Sequence, residues 1–343
     1  HYTDQFNKVT DLIGSLNAQL DIWGGLKYKL SLSGNYSNKH NYTHTPEYYT
    51  KWNSDGTPDK DYGNTRNSVS ETRGEEFTYT IDNLLTYNKT FNRHSIDALL
   101  GTSWMREYYR YMTNSTINDL GGTDITGFQN EDGKISAGDS NAALLSFFAR
   151  FNYGFKDKYL FTASVRADGS SKFGKNNKWG YFPAFSAAWR LGEEEFIKNL
   201  NIFSDLKVRL GYGMAGNNRI DSYLSLAVLG SVTYPNGDST QPGYVSKQIP
   251  NPDLKWEANK TFNFGLDFGF FNQRLTISPE FYINRSSNLL LNAKLPTSSG
   301  YNSMVINAGE TENKGIDLTI NSTNITNKYF TWNTSITLSH NNN

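Results

Sequence analysis

A repeated alternation of apolar and polar residues with a period of two is the feature that most constrains the fold. In residues 262–270, four phenylalanines and a leucine alternate with polar residues and glycines. Because successive side chains of a β-strand point to opposite faces, this pattern predicts a strand with one apolar face. About a dozen such stretches recur, most of them longer than the roughly 5 to 6 residues typical of soluble sheets. They cover residues 15–23, 26–37, 77–87, 96–109, 144–155, 158–168, 179–191, 206–212, 262–270, 274–284, 315–322 and 330–339.

The connections between these stretches alternate in length. The tight ones are residues 24–25, 89–93, 156–158 and 272–273, and the long ones are 38–74, 110–141, 216–255 and 286–310. A membrane-spanning barrel has short turns at one end and long loops at the other, and each tilted strand needs about 9 to 11 residues. The sequence therefore predicts an all-β, antiparallel transmembrane β-barrel domain over residues 1–343, rather than a large soluble sheet with one packed face. Segment 192–204 is a longer connection at the short end, and we expect it to hold one helical turn.

One predicted hairpin, residues 164–191, has a markedly aromatic face. Its second strand places four aromatic residues on that face, Trp179, Tyr181, Phe185 and Trp189, with smaller residues between them. Aromatic residues make up 15% of the chain although hydrophobic residues make up only 37%, a pairing that ordinary globular cores do not favour. We expect these rings to face lipid and to form part of an aromatic girdle, with Ser186 and Arg190 facing the lumen.

Composition excludes several classes of protein. Lysine plus arginine equals aspartate plus glutamate at 33 each, so the charge gives no reason to expect a nucleic-acid partner. The chain has no cysteine, which excludes disulfide scaffolds and thiolate metal sites. No stretch approaches the roughly 18 to 20 consecutive apolar residues that a membrane-spanning helix requires.

Catalytic motifs are absent from the sequence. No H-E-x-x-H or G-x-S-x-G pattern occurs, and these are the spacings that zinc peptidases and serine hydrolases use. His40 and His44 have the spacing of metal ligands on a helix, but they lie in a tyrosine- and threonine-rich segment typical of a loop. The sequence therefore predicts no enzyme and no cofactor.

Gly211, Gly213 and Gly216 match the dinucleotide-binding pattern G-x-G-x-x-G. The preceding strand alternates lysine and arginine with apolar residues, whereas the parallel strand of a nucleotide-binding fold is apolar throughout. We therefore interpret these glycines as narrow inward-facing positions at the exit of a barrel strand.

Residues 128–139, FQNEDGKISAGD, are similar to a calcium-binding EF-hand loop. Asn130 and Asp132 fill ligand positions 3 and 5, and Asp139 fills position 12. Phe128 stands at position 1 in place of an oxygen ligand, and Asp139 replaces the longer glutamate. We expect a polar turn of an outer loop, with a calcium site as the alternative.

Long outer loops are the usual place for ligand recognition. Sugar rings stack on aromatic faces, and their hydroxyl groups need amide and carboxylate partners. The candidates in these loops are Tyr48, Tyr49, Trp52, Asn53, Asp55, Tyr234 and Tyr244. We expect them to line an outer vestibule for a glycan or a polar peptide, whereas the alternative is packing between loops.

Several ordered motifs carry a family resemblance. They are DKYLFTASVRADGSSKFGKNNKWGYFPAFSAAWRLGEEEFI, LKVRLGYGMAGNN, NPDLKWE, LDFGFFNQRLTISPEFY and GETENKGIDLTI. Together they resemble the barrel of the SusC/RagA family of TonB-dependent outer-membrane transporters. The resemblance implies a 22-stranded up-and-down barrel with an N-terminal plug in the outer membrane of a Gram-negative bacterium. It also implies import of glycans or oligopeptides with a SusD-like surface lipoprotein, driven by the TonB complex.

The sequence departs from that family in extent. We find no plug-like segment, no TonB-contacting box and about half of the strands such a barrel requires. We therefore expect an internal portion of a larger transporter, whose barrel is closed by further strands or by a partner chain. The predicted function is TonB-dependent import, with a carbohydrate-binding module and a passive porin as the alternatives.

Overall fold

The computed structural model describes residues 3–64, 67–117, 134–237 and 239–343, and these residues are mostly β-strand. The strands are β1 (Asp4–Trp23), β2 (Leu26–Thr45), β3 (Tyr48–Tyr49), β4 (Gly63–Asn64), β5 (Ser68–Phe91), β6 (His94–Ile117), β7 (Lys134–Phe155), β8 (Tyr159–Ser170), β9 (Trp179–Trp189), β10 (Phe203–Asn217), β11 (Leu229–Asn236), β12 (Ser239–Ser246), β13 (Glu257–Phe270), β14 (Leu275–Ser287), β15 (Leu290–Lys294), β16 (Ser303–Asn307), β17 (Glu310–Thr326) and β18 (Thr331–Asn342). One short α-helix, α1 (Glu195–Lys198), and two 3₁₀ turns, Leu191–Glu193 and Thr297–Ser299, complete the described elements.

Twelve strands form one sheet in the order β1-β2-β5-β6-β7-β8-β9-β10-β13-β14-β17-β18. The pairings between β7 and β18 are antiparallel throughout, and each strand of the sheet pairs with the next one along the chain apart from small inserted hairpins. The pairs β3-β4, β11-β12 and β15-β16 lie in long connections. The predicted all-β antiparallel fold is therefore confirmed.

Short connections close one end of the sheet. The β1-β2 turn is Gly24-Gly25, and both residues have positive φ values of 56° and 96°, which glycine adopts without steric cost. A side chain at Gly25 would also clash with the carbonyl oxygen of Asn88. The longest connection at this end, 190–202, contains α1, which confirms the predicted helical turn.

The described residues divide into two compact units. One comprises residues 3–17, 31–64, 67–81, 105–117 and 134–143, and the other comprises 18–30, 82–104, 144–237 and 239–343. Within the described residues, no helix has the length and apolar character needed to cross a membrane.

The buried core of the second unit is small and lies among the connections. It consists of Phe173, Phe182, Leu254 and Trp256, which come from the β8-β9 connection, from β9 and from the segment that leads into β13. Most other large apolar side chains of the sheet are partly or fully exposed. The sheet is thus stabilised by its backbone ladder and cross-strand contacts more than by a conventional core.

Candidate functional site: two faces of the sheet and its outer connections

Alternate residues of β9 expose aromatic rings on one side of the sheet, which we call the aromatic face. Tyr181 is 65% exposed, Trp179 43% and Trp189 39%, and Phe185 is also exposed. The residues directly opposite on β8 share this face because paired residues of antiparallel strands point to the same side. The structure therefore brings all four predicted aromatic residues onto one exposed surface.

Stacked ring pairs stand at the two ends of this surface. Trp189 stacks on Tyr159 with ring centroids 5.9 Å apart, and Trp179 stacks on Phe147 with centroids 6.0 Å apart. Offset stacking of this kind holds ring orientation. Rings with an apolar body and a polar tip at both borders of a surface are typical of an aromatic girdle.

Glu194 fixes the connection that follows β9 against one of these ring pairs. Its carboxylate accepts hydrogen bonds from Tyr159 Oη at 2.7 Å, Lys158 Nζ at 3.1 Å and Trp189 Nε1 at 3.2 Å. These donors, with Tyr159 the largest contributor, lower the pKa of Glu194 from 4.5 to about 2. The carboxylate is therefore ionised at neutral pH and holds α1 close to the end of the strand.

The opposite side of the sheet, which we call the polar face, carries charges that are paired with one another. Arg209 on β10 binds Asp267 on β13 at 2.8 Å and Glu280 on β14 at 3.2 Å. Asn263 donates a second hydrogen bond to Glu280 at 2.7 Å. The guanidinium lies across Gly265, where a Cβ would come within 2.7 Å of it. This arrangement gives a hydrophilic surface on which the Arg209 guanidinium is paired with two carboxylates.

The buried cluster joins two connections at the long-loop end of the sheet. Leu254 is fully buried, and the rings of Phe173 and Phe182 contact Trp256 with centroids 5.1 Å and 5.4 Å apart. Trp256 Nε1 donates to the carbonyl oxygen of Lys178 at 3.0 Å. The cluster therefore ties the SKFGKNNK segment to the NPDLKWE segment, which are two of the motifs that carry the family resemblance.

Gly216 gives Phe182 the space it needs. A Cβ at Gly216 would overlap the Phe182 ring, so the last glycine of the G-x-G-x-x-G pattern serves packing. A Cβ at Gly211, by contrast, would lie 4.0 Å from its nearest neighbour, Asn263 Cβ. All three glycines of the pattern lie within antiparallel β10, as expected for a barrel strand and not for a nucleotide site.

The first predicted ligand loop folds as a small hairpin. Tyr48 and Tyr49 pair with Asn64 and Gly63, and the rings of Tyr49 and Trp52 lie 6.5 Å apart at an angle of 60°. Trp52 is well exposed. The structure thus brings two of the predicted aromatic residues together, although Tyr49 is half-buried.

The polar members of that loop are committed to its turn. Asp55 accepts hydrogen bonds from the backbone N–H and the hydroxyl of Thr57 at 2.9 Å and 2.6 Å, and these bonds lower its pKa. Asn53 Nδ2 donates to Thr57 Oγ1 at 3.2 Å. Both side chains therefore shape the loop and have limited freedom to contact a ligand.

The second predicted pair does not form a joint surface. Tyr234 lies opposite Gln241 in the β11-β12 hairpin, whereas Tyr244 lies opposite Ser231. These registers place the two tyrosines on opposite sides of the hairpin. Tyr234 covers Gly243, and Tyr244 is among the most exposed residues of the chain.

The predicted metal positions are only partly described. Asn130 and Asp132 lie outside the described residues, and Asp139 lies in β7. Within the described ranges, no group of three potential ligands could hold a metal ion. His40 Nε2 lies 2.7 Å from Glu71, and His44 Nε2 lies 2.8 Å from Asn67 Oδ1.

Known proteins resemble this chain in sequence and in fold. TonB-dependent receptor P3 of Formosa agariphila is 38% identical over 288 residues, which cover 82% of this chain and 28% of that protein. TonB-dependent receptor SusC of Bacteroides thetaiotaomicron is 42% identical over 209 residues, which cover 58% of this chain and 20% of that protein. The RagAB peptide transporter superposes with a TM-score of 0.85 at 26% identity, covering 99% of this chain and 37% of the matched chain.

The family match extends over the whole chain. The profile described as TonB dependent receptor-like, beta-barrel, matches residues 1–343. The chain spans less than one third of the length of the two curated relatives described above. Together with the antiparallel sheet and its two distinct faces, the match establishes that this chain belongs to the β-barrel domain family of TonB-dependent receptors.

Proposed function

We propose that this chain forms part of the barrel wall and outer loops of a TonB-dependent importer of glycans or oligopeptides in the outer membrane of a Gram-negative bacterium. The two faces of the sheet carry the proposal. Exposed rings on the aromatic face suit hydrocarbon and its borders, and paired charges on the polar face suit a water-filled interior. The sheet would then separate lipid from the substrate path.

The likeness to SusC and to the RagAB peptide transporter supports the choice of cargo and partners. In this proposal, a SusD-like surface lipoprotein covers the outer loops, and the TonB complex supplies energy through parts of the protein outside this sequence. The chain itself performs no covalent chemistry. Family membership favours this function over a passive porin and over a soluble carbohydrate-binding module.

Two separate features order the long connections. The cluster around Trp256 joins two of them to each other and to β9, whereas the hairpin of Tyr48 and Tyr49 is closed by its own backbone pairing with Gly63 and Asn64. We assign initial substrate contact to Tyr49 and Trp52, whose ring centroids lie 6.5 Å apart, with Trp52 exposed and Tyr49 half-buried. Asn53 and Asp55 maintain the turn that presents them.

Energy dependence tests the proposed function. Cells that rely on the full-length protein would be given a fluorescently labelled oligosaccharide or oligopeptide, and internal label would be measured before and after the proton gradient is collapsed. We expect uptake to stop on collapse. Uptake that continues would indicate a passive porin, and glycan binding without uptake by detergent-free protein would indicate a binding module.

Substitution of Tyr49 and Trp52 by alanine tests the vestibule. Truncating an aromatic residue that dominates a binding contact costs about 2 kcal/mol or more, so we expect the apparent affinity for the imported substrate to fall by about tenfold or more. Binding to the full-length protein would be measured by calorimetry, with Tyr329→Ala as the control for an exposed ring in a short connection. Unchanged affinity in the double variant would remove Tyr49 and Trp52 from the substrate path.

A further inference from the structure

A groove of about 560 Å³ interrupts the aromatic face of the second unit. Ala167 and Tyr181 lie directly opposite each other in the β8-β9 register, and Ala149 lies opposite Val165 in the β7-β8 register. All four side chains line the groove. The groove is therefore part of the surface that carries the exposed rings of β9.

The lining of this groove is apolar and uneven in size. Ala149 and Ala167 form low points, whereas Leu100, Phe147 and Tyr181 form walls and are substantially exposed. Small side chains between large ones leave a channel that an extended hydrocarbon chain can enter closely. The shape favours a narrow apolar occupant.

Polar atoms near the groove are bonded to one another. Tyr28 Oη donates to Asn83 Oδ1 at 2.6 Å, and Asn83 Nδ2 donates to Thr102 Oγ1 at 3.4 Å. An unpartnered polar group is costly in hydrocarbon. Asn83 interrupts the apolar alternation of β5. Its hydrogen bonds to Tyr28 and Thr102 allow it to lie beside an apolar groove.

We propose that this groove binds one acyl chain of a lipid of the outer leaflet, an inference that rests on the proposed function because it requires the aromatic face to lie in a bilayer. The bilayer core contains no water to fill a concave surface, and an empty groove would forfeit dispersion contacts along its whole length. A hydrocarbon chain restores those contacts without dehydrating any charged group.

The position of the groove along the strands selects the leaflet. The Ala167-Tyr181 pair lies two residues along the strands from the Gly169-Trp179 pair, which is at the long-connection end of the β8-β9 hairpin. The Tyr159-Trp189 pair marks the opposite end, next to the short connections. Long loops of outer-membrane barrels lie outside the cell, so the β8-β9 end of the groove lies towards the outer leaflet. An acyl chain that enters there would run towards Leu100 and Tyr28, which lie nearer the short connections.

Filling the groove tests the proposal. The full-length protein would be reconstituted in vesicles of lipid A and phosphatidylethanolamine, extracted in mild detergent and examined by native mass spectrometry for retained lipid. We expect one lipid A molecule to survive extraction of the unmodified protein. Ala167→Leu and, separately, Ala149→Leu place larger side chains in the low points of the groove, and each should reduce retention by about tenfold, which corresponds to roughly 1.4 kcal/mol.

Ala163→Leu is the matched control. Ala163 is on the same strand and the same face as Ala167, opposite Phe185, but it does not line the groove. Retention should be unchanged in this variant. Equal loss in all three variants, no retained lipid, or retention of phosphatidylethanolamine in place of lipid A would each overturn the assignment. A second copy of the protein in the groove would appear as a dimer that Ala167→Leu dissociates, and this would also overturn it.

The experiments distinguish an error in the acyl-chain assignment from an error in the proposed function. If Trp179 is quenched by brominated lipids while no lipid is retained, the aromatic face lies in the bilayer and only the groove assignment is wrong. If neither quenching nor retention is seen, the membrane placement on which both proposals depend is wrong.

Discussion

The two sides of β9 use aromatic residues for opposite purposes. Phe185 on the aromatic face is about half exposed, whereas Phe182 on the polar face is 7% exposed and packs against Trp256. The first ring has much less buried surface to lose, and the second holds two long connections together. Exposure on one side and burial on the other, within the same strand, indicate that the aromatic face and the long connections are stabilised separately.

Truncating each ring in turn should give the largest difference in stability between the two sides of β9. Phe182→Ala removes a ring from a buried cluster and should destabilise the loop cluster by about 3–5 kcal/mol. Phe185→Ala should cost much less, because the ring is exposed in the folded chain. Hydrogen exchange of residues 171–178 and 248–256 in the full-length protein would measure the difference, and equal exchange in both variants would contradict separate stabilisation.

A smaller loss of stability is expected when a methyl group is added to the buried cluster than when a ring is removed from it. Gly216→Ala would force the new methyl group against the Phe182 ring, and overpacking typically costs about 1–3 kcal/mol. Gly211→Ala is the control, because its nearest neighbour would be Asn263 Cβ at 4.0 Å. Proteolysis of the two connections should accelerate only in Gly216→Ala. Equal acceleration in Gly211→Ala would show that the strand, and not the cluster, responds.

The smallest predicted effect concerns Glu194 at the other end of β9. Its folded-state pKa of about 2 lies below the ordinary value of 4.5, so its hydrogen bonds contribute fully above pH 4.5 and are lost as the pH falls towards 2. Trp189 emission should change over that window in a variant of the full-length protein that retains this single tryptophan. The change should be absent in Glu194→Gln, and a transition that persists there would assign the effect to another carboxyl group.

Local pattern was enough to predict the strands and the aromatic face. The period-two alternation in β9 depends only on neighbouring residues, and the structure places Trp179, Tyr181, Phe185 and Trp189 on one face. The helical turn in segment 190–202 was also predicted. Both are properties of short stretches, for which periodicity carries the information.

The buried cluster could not be predicted from local pattern because its partners are distant in the chain. Phe182 and Trp256 meet only when two long connections fold over the end of the sheet. The one available signal was Phe182 itself, an aromatic residue at a position where alternation predicts a polar one. Likewise, Asn53 and Asp55 suggested ligand contacts, and only the geometry of the turn shows that Thr57 occupies them.

Depth-dependent quenching tests the central claim that the aromatic face lies in hydrocarbon. Variants of the full-length protein that each retain one tryptophan, Trp179, Trp189 or Trp256, would be reconstituted with lipids brominated at defined acyl positions. Trp179 and Trp189 should be strongly quenched, most of all by bromines near the two borders, whereas buried Trp256 should be quenched little. Equal, weak quenching of all three would contradict a lipid-facing wall and would return the chain to the class of soluble β-sheet proteins.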